Sequence, residues 1–184
     1  MKHHVCPWWL AYTFDNPLRG LFHKPEQIFS HVVKEGMTVA DIGCGMGYFS
    51  ICLAKIVKEN GKVIAVDIQQ KMLERLEKRA RHVGVFDTIQ THLCQEGEIG
   101  IAEPIDFALT FWMVHETQEP KPFLQQIHAV LKDSGLLLIA EPKVHVSRSQ
   151  FEHEVDIAQE VGFKIKDEPK MAFSRSVLLE KTSL

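Results

Sequence analysis

From Thr38 onward, short apolar runs alternate with stretches whose apolar residues recur three and four positions apart. A short apolar run bounded by turn residues reads as a buried strand, and the wider period reads as an amphipathic helix. The runs are "TVADIGC" (38–44), "KVIAVDI" (62–68), "TIQTHLC" (88–94), "IDFALTFWM" (105–113) and "LLLIAEP" (136–142). Between the first two, Phe49, Leu53, Ile56 and Val57 share a helix face that Gly61 ends. Within 69–84, Met72, Leu73, Leu76, Ala80 and Val83 share another, with Glu74 and Lys78 paired four apart on the opposite side. Further helices are expected over 121–135, closing at Gly135, over 147–161, and over 24–36 with Pro25 in the first turn. The runs "FKIKDE" and "SRSVLLEK" are close enough to be antiparallel neighbours. This alternation predicts an α/β fold, a single-domain doubly wound seven-stranded sheet that is mostly parallel with a C-terminal antiparallel strand pair. Residues 1–24 stand apart as an N-terminal lid or substrate segment before a domain over 25–184.

Composition narrows the partners. The chain has 184 residues, 45% hydrophobic and 24% charged, within the range of one domain with a full core. A net charge of -3 supplies no global field for nucleic acid or an anionic membrane. Cys6, Cys44, Cys52 and Cys94 show neither a CxxC pair nor the dense spacing of a disulfide framework, which favours a reducing cytoplasm. No apolar run reaches the length of a membrane span, and "VCPWWLAYTF" lacks the cleavage site of a signal peptide.

The densest local signal is "VADIGCGMGYFS", where Gly43, Gly45 and Gly47 follow Asp41 at the end of the first strand. Glycines let a strand-to-helix turn approach a ligand closely, and the helix start presents free N–H groups. The spacing GxGxG differs by one residue from the dinucleotide pattern GxGxxG. An acid at the loop entrance would repel a pyrophosphate, so the ligand should be neutral or cationic there. Asp67 closes the second strand, where Rossmann-type proteins place a carboxylate for ribose hydroxyls. Together these describe an adenosine that carries a cationic tail instead of phosphates.

In these three motifs, "VADIGCGMG", "VIAVDI" and "LKDSGLLLIAEP", the chain resembles the class I S-adenosylmethionine-dependent methyltransferases over about residues 25–181. The resemblance implies S-adenosyl-L-methionine as cofactor, with Asp41, Gly43, Gly45 and Gly47 forming the loop at its methionine end. It places Asp67 on the ribose, Ile68 on the adenine, and Cys94 or Gln95 at the adenine amine. Phe111 and Trp112 would line the sulfonium pocket, where aromatic faces attract cations. Two rivals stand beside this reading: a nicotinamide oxidoreductase, opposed by Asp41 and the glycine spacing, and a cofactor-binding partner protein without chemistry.

The acceptor is expected to be a small molecule, methylated on an oxygen, carbon, nitrogen, sulfur or metalloid. "FWMVHE" lacks the Pro-Pro-aromatic signature that relatives use on exocyclic amines, and few residues separate the fifth strand from the last helix. His115 and His145 are the candidate catalytic bases, with Glu116 or Glu141 able to orient an imidazole. Trp8, Trp9, Phe14 and Trp112 would wall the acceptor pocket. "HHVC" raises a metal reading through His3, His4 and Cys6, and Cys6, Cys44 and Cys94 a thiophilic one, but neither has standard ligand spacing, so no metal site is expected. Oligomeric state stays open.

Overall fold

The structure is a computed structural model that describes residues 25–182. The proposed lid over 1–24, with His3, His4, Cys6, Trp8, Trp9 and Phe14, lies outside the described residues. The elements run α1 (Pro25–Phe29), β1 (Thr38–Ile42), α2 (Tyr48–Val57), β2 (Lys62–Asp67), α3 (Gln70–His82) and β3 (Ile89–Leu93). They continue as β4 (Ile105–Phe111), α4 (Pro120–Val130), β5 (Leu131–Pro142), α5 (Arg148–Val161), β6 (Phe163–Asp167) and β7 (Ser174–Lys181). The strands form one seven-stranded sheet in the order β3-β2-β1-β4-β5-β7-β6. The first five run parallel, and β7 pairs antiparallel with both β5 and β6.

Two apolar layers hold the sheet, one on each face. On one face Leu53 of α2 and Leu73 and Leu76 of α3 pack on Val39, Val63 and Leu109. On the other, Leu124 and Ile127 of α4 and Val155 and Ala158 of α5 pack on Ala40, Ile64 and Ile139. Because β1, β2 and β4 are covered on both sides, their sequences are continuous apolar runs and do not alternate. Chain order reverses direction between β1 and β4, and ligands of open α/β sheets bind at the carboxyl ends of strands beside such a point.

Three expected elements come out differently. The helix expected over 121–135 stops at Val130, and "LKDSG" belongs to β5. Leu131 pairs with Ile105 while the next partner pair is Phe107 with Leu136, so Lys132 to Gly135 form a bulge with Ser134 at φ 59°. Sheet pairing of the buried Leu131 outweighs one more helical turn, and Ser-Gly suits the turn. The strand expected to Met113 ends at Phe111 because Trp112 takes φ 59°, and residues 114–116 form a short 3-10 turn. The helix expected over 24–36 is described only as α1 followed by turns.

Candidate functional site

The glycine loop leaves β1 and is tied to the neighbouring strand: Gly43 and Cys44 N–H groups donate to the Val66 carbonyl at 2.8 and 3.0 Å. Asp67, at the end of β2, completes the tie. Its Oδ2 accepts from Gly45 N and its Oδ1 from Gln69 N, both at 2.9 Å. Burial pushes the Asp67 carboxyl above its ordinary value, and the N–H groups of Gln69, Gly45 and Ile68 oppose that shift. Gly45 takes φ +53°, and among the described residues nothing lies within 4 Å of where a Cβ would stand, so no described side chain screens its backbone from a ligand. Gly47 also has positive φ, for a different reason: a Cβ there would sit 2.0 Å from Leu76 Cδ1, so α2 and α3 meet only because no side chain intervenes.

A cavity of about 490 Å³ opens at this end of the sheet. Gly43, Gly45, Asp67, Ile68, Cys94, Gln95 and Trp112 of the expected cofactor residues line it. Its acidic wall was not read from the sequence: Glu96, Glu98, Glu116 and Glu119 join Asp67, and among the described residues no lysine, arginine or histidine lines the cavity. The four glutamates come from the loop after β3 and from the segment between β4 and α4, which only the tertiary structure brings opposite one another. Ile68, Met72, Ile99 and Phe123 supply its apolar surface.

The remaining expected residues lie behind this wall. Asp41 is buried beneath the loop, 2% exposed, and its Oδ2 accepts the Ser50 hydroxyl at 2.5 Å; it does not line the cavity. The acid that the sequence reading aimed at a ligand therefore braces the loop against α2. Phe111 is a core residue: its ring packs 4.5 Å from Phe49, which packs on Phe29. Trp112 sits on the cavity edge, its N–H donating to the Ala140 carbonyl and its Nε1 to Ser174 Oγ at 2.8 Å. Ser174 had no signal in the sequence, since it reaches Trp112 across β5.

His115 lies in the turn after β4, and Glu141, next to last in β5, has no exposed surface. Glu141 Oε1 accepts from the Met113 and Val114 N–H groups, and its Oε2 is bonded to His115 Nδ1. Burial draws the His115 imidazole down, but the bond and charge of Glu141, with Glu116 and Glu154, outweigh it and hold the ring above its usual value. The exposed His145 ring stacks on His115 at 6.1 Å with an 8° tilt. Neither histidine lines the cavity, but Met113 and Glu116, which flank His115, do.

Cys44, Cys52 and Cys94 are held as neutral thiols. Burial, then the charges of Asp41 and Asp67, push Cys44 well up, and burial followed by Asp67 pushes Cys94 up to about 11. Among the described residues no group of His, Cys, Asp and Glu is arranged to hold a metal ion. Likewise, no described helix is long and apolar enough to cross a membrane.

Comparison with known proteins gives this geometry a lineage. The chain is 28% identical over 113 residues to the ubiquinone/menaquinone biosynthesis C-methyltransferase UbiE of Escherichia fergusonii, covering 59% of this chain and 44% of the relative. It is 27% identical over 105 residues to a protein-L-isoaspartate O-methyltransferase of Thermotoga maritima, covering 57% and 31%. The chain thus spans less than half the length of these curated relatives. A SAM-dependent methyltransferase from Aquifex aeolicus superposes with a TM-score of 0.85 at 24% identity, covering 96% of this chain and 99% of the other, and so shares the fold. A family model described as a methyltransferase domain matches residues 33–176, more than three quarters of the chain, and the chain belongs to that methyltransferase-domain family.

Proposed function

We propose that this chain uses S-adenosyl-L-methionine to methylate a small-molecule acceptor in the cytoplasm. The carrying observation is the cavity wall: five carboxylates with no cation among the described residues, at and beyond the carboxyl ends of β2, β3 and β4. Such a wall disfavours the phosphates of a dinucleotide and favours a ligand with sulfonium and ammonium charges. Asp67 would accept the ribose hydroxyls, Ile68 would cover the adenine, and Cys94 or Gln95 would meet its amine. The backbone at Gly43 and Gly45 would receive the methionine end, while Asp41, Gly47 and Phe111 hold the loop and strand end in place. Absence of a standard disulfide pattern among free Cys44, Cys52 and Cys94 supports the cytoplasmic location.

When bound, the cofactor supplies a methyl group on a positively charged sulfur. Asp67 and the backbone at Gly43 and Gly45 would hold it with that methyl offered for in-line displacement by the acceptor's nucleophilic atom. Orientation is the chain's main contribution, because in-line displacement needs close approach more than covalent help. The His115 ring lies outside the cavity wall, but Met113 and Glu116 of its turn line it, so an acceptor seated against that turn would give its proton to the ring nitrogen that Glu141 leaves free, with Glu141 stabilising the imidazolium. The exposed His145, whose ring stacks on that of His115, stands as the alternative base.

Calorimetry with S-adenosylhomocysteine tests the reading. Binding to the wild type, and at least tenfold weaker binding to Asp67→Ala, is the expected result. No heat with the wild type would sink it, and quenching of protein fluorescence by NADH would transfer the chain to the oxidoreductase reading.

A further inference from the structure

Glu154 is buried, and nothing in the proposed reaction uses it. On α5, Phe151, Val155 and Ala158 face the core, and Glu154 falls on the same side of the helix, only 8% exposed. Its Oε2 has no hydrogen-bond partner among the described residues. An ionised carboxylate is costly in such a place. Its charged neighbours are Glu141 and His115, each of which acts on it electrostatically.

The surroundings of His115 define what Glu154 does. Glu141 is bonded to it from β5 and His145 stacks on it from the loop before α5, while Glu116 of its own turn and Glu154 of α5 act on it through their charges. Arg175 of β7 pairs in register with Glu141, on the same face of the sheet, with its Nη1 buried and unpartnered among the described residues. Glu141 is fully engaged as an anion by two backbone N–H groups and the imidazole. A second negative charge at Glu154 would hold His115 as the imidazolium, the form that cannot accept a proton.

We propose that Glu154 is a positioning residue for His115: a buried carboxyl kept protonated behind the His115–Glu141 pair, so that one full charge and not two stands behind the imidazole. The relevance to catalysis rests on the reading of His115 as base; the charge state of Glu154 does not. Burial, followed by the charge of Glu141 and opposed by that of His115, pushes Glu154 up to about 8, so the protonated form predominates near neutral pH. Above that pH its ionisation raises the proton affinity of His115, and the groups titrate as a coupled set.

The test follows the Cε1 resonance of His115 in the full chain labelled with 13C-histidine, assigned by its loss in His115→Asn, from pH 5 to 10. In the wild type the resonance should move in two steps, the second centred near pH 8. Glu154→Gln should abolish the second step, and Glu154→Asp, which keeps an ionisable group, should restore one. A single step in the wild type, or two unchanged steps in Glu154→Gln, overturns the proposal. If Glu154→Gln does not fold, the wild-type curve and Glu154→Asp decide on the same criteria. Binding of S-adenosylhomocysteine to the same wild-type sample judges the cofactor reading separately, so either can fail without the other.

Discussion

Glycines that look alike in "GCGMG" do different work, and substitution separates them. Gly45 has positive φ and open space beside it, so alanine there costs about 1–2 kcal/mol of backbone strain and leaves the fold intact. Its added methyl enters the space beside the cavity, and S-adenosylhomocysteine binding should weaken at least tenfold by calorimetry. Gly47→Ala adds the same strain and also drives Cβ into the buried Leu76, so urea denaturation should show a loss of about 3 kcal/mol. Equal stability loss in the two variants would refute this division of labour. Asp41 teaches a similar lesson. Its carboxylate was legible as unusual, but its partner Ser50 on α2 was not, because a hydrogen bond across a strand-to-helix unit depends on how far the helix packs down.

At the level of elements, helix boundaries follow chemistry that is partly local. Ser147 caps α5 by accepting from Gln150 N at 3.2 Å, and the Ser147 N–H donates in turn to Gln150 Oε1 at 2.8 Å. This capping box predicts that Ser147→Ala lowers the urea midpoint by an amount equivalent to about 1 kcal/mol, with an unchanged slope. A changed slope would mean that α5 does not simply fray. The end of α4 shows the limit of local reading: "AVLKDSG" continues a helical period, yet Leu131 leaves it to pair with Ile105 in the sheet. A distant strand made the difference, and no propensity within the helix encodes it. Glu154 was visible in principle, as an acid at the apolar spacing of Phe151 and Ala158.

At the scale of the whole molecule, the buried charge cluster should make stability depend on pH. Glu154 rises from 4.5 unfolded to about 8 folded, and His115 lies above 6.5 when folded, so the native state holds protons that the unfolded chain releases. Stability therefore falls as pH rises from about 5 through 8, by at most about 1.4 kcal/mol per unit for each group. Glu154→Gln should flatten this decline, and urea midpoints at pH 5, 6.5 and 8 should diverge in favour of the variant as pH increases. Parallel curves would show that Glu154 ionises in the folded chain as it does in the unfolded one.

The sequence by itself determined the sheet class, the parallel core with its antiparallel end, the glycine loop and Asp67. Each of these depends on residues within one strand-loop-helix unit, where turn chemistry and apolar period are local properties. Only the tertiary structure decided which acids face the cavity and which are buried. It turned Asp41 inward, set Glu96, Glu98, Glu116 and Glu119 around one opening, and brought His115, Glu141 and Glu154 together from three elements. The reason is physical: what a polar group does depends on the burial and the charges around it, and packing between distant segments sets both.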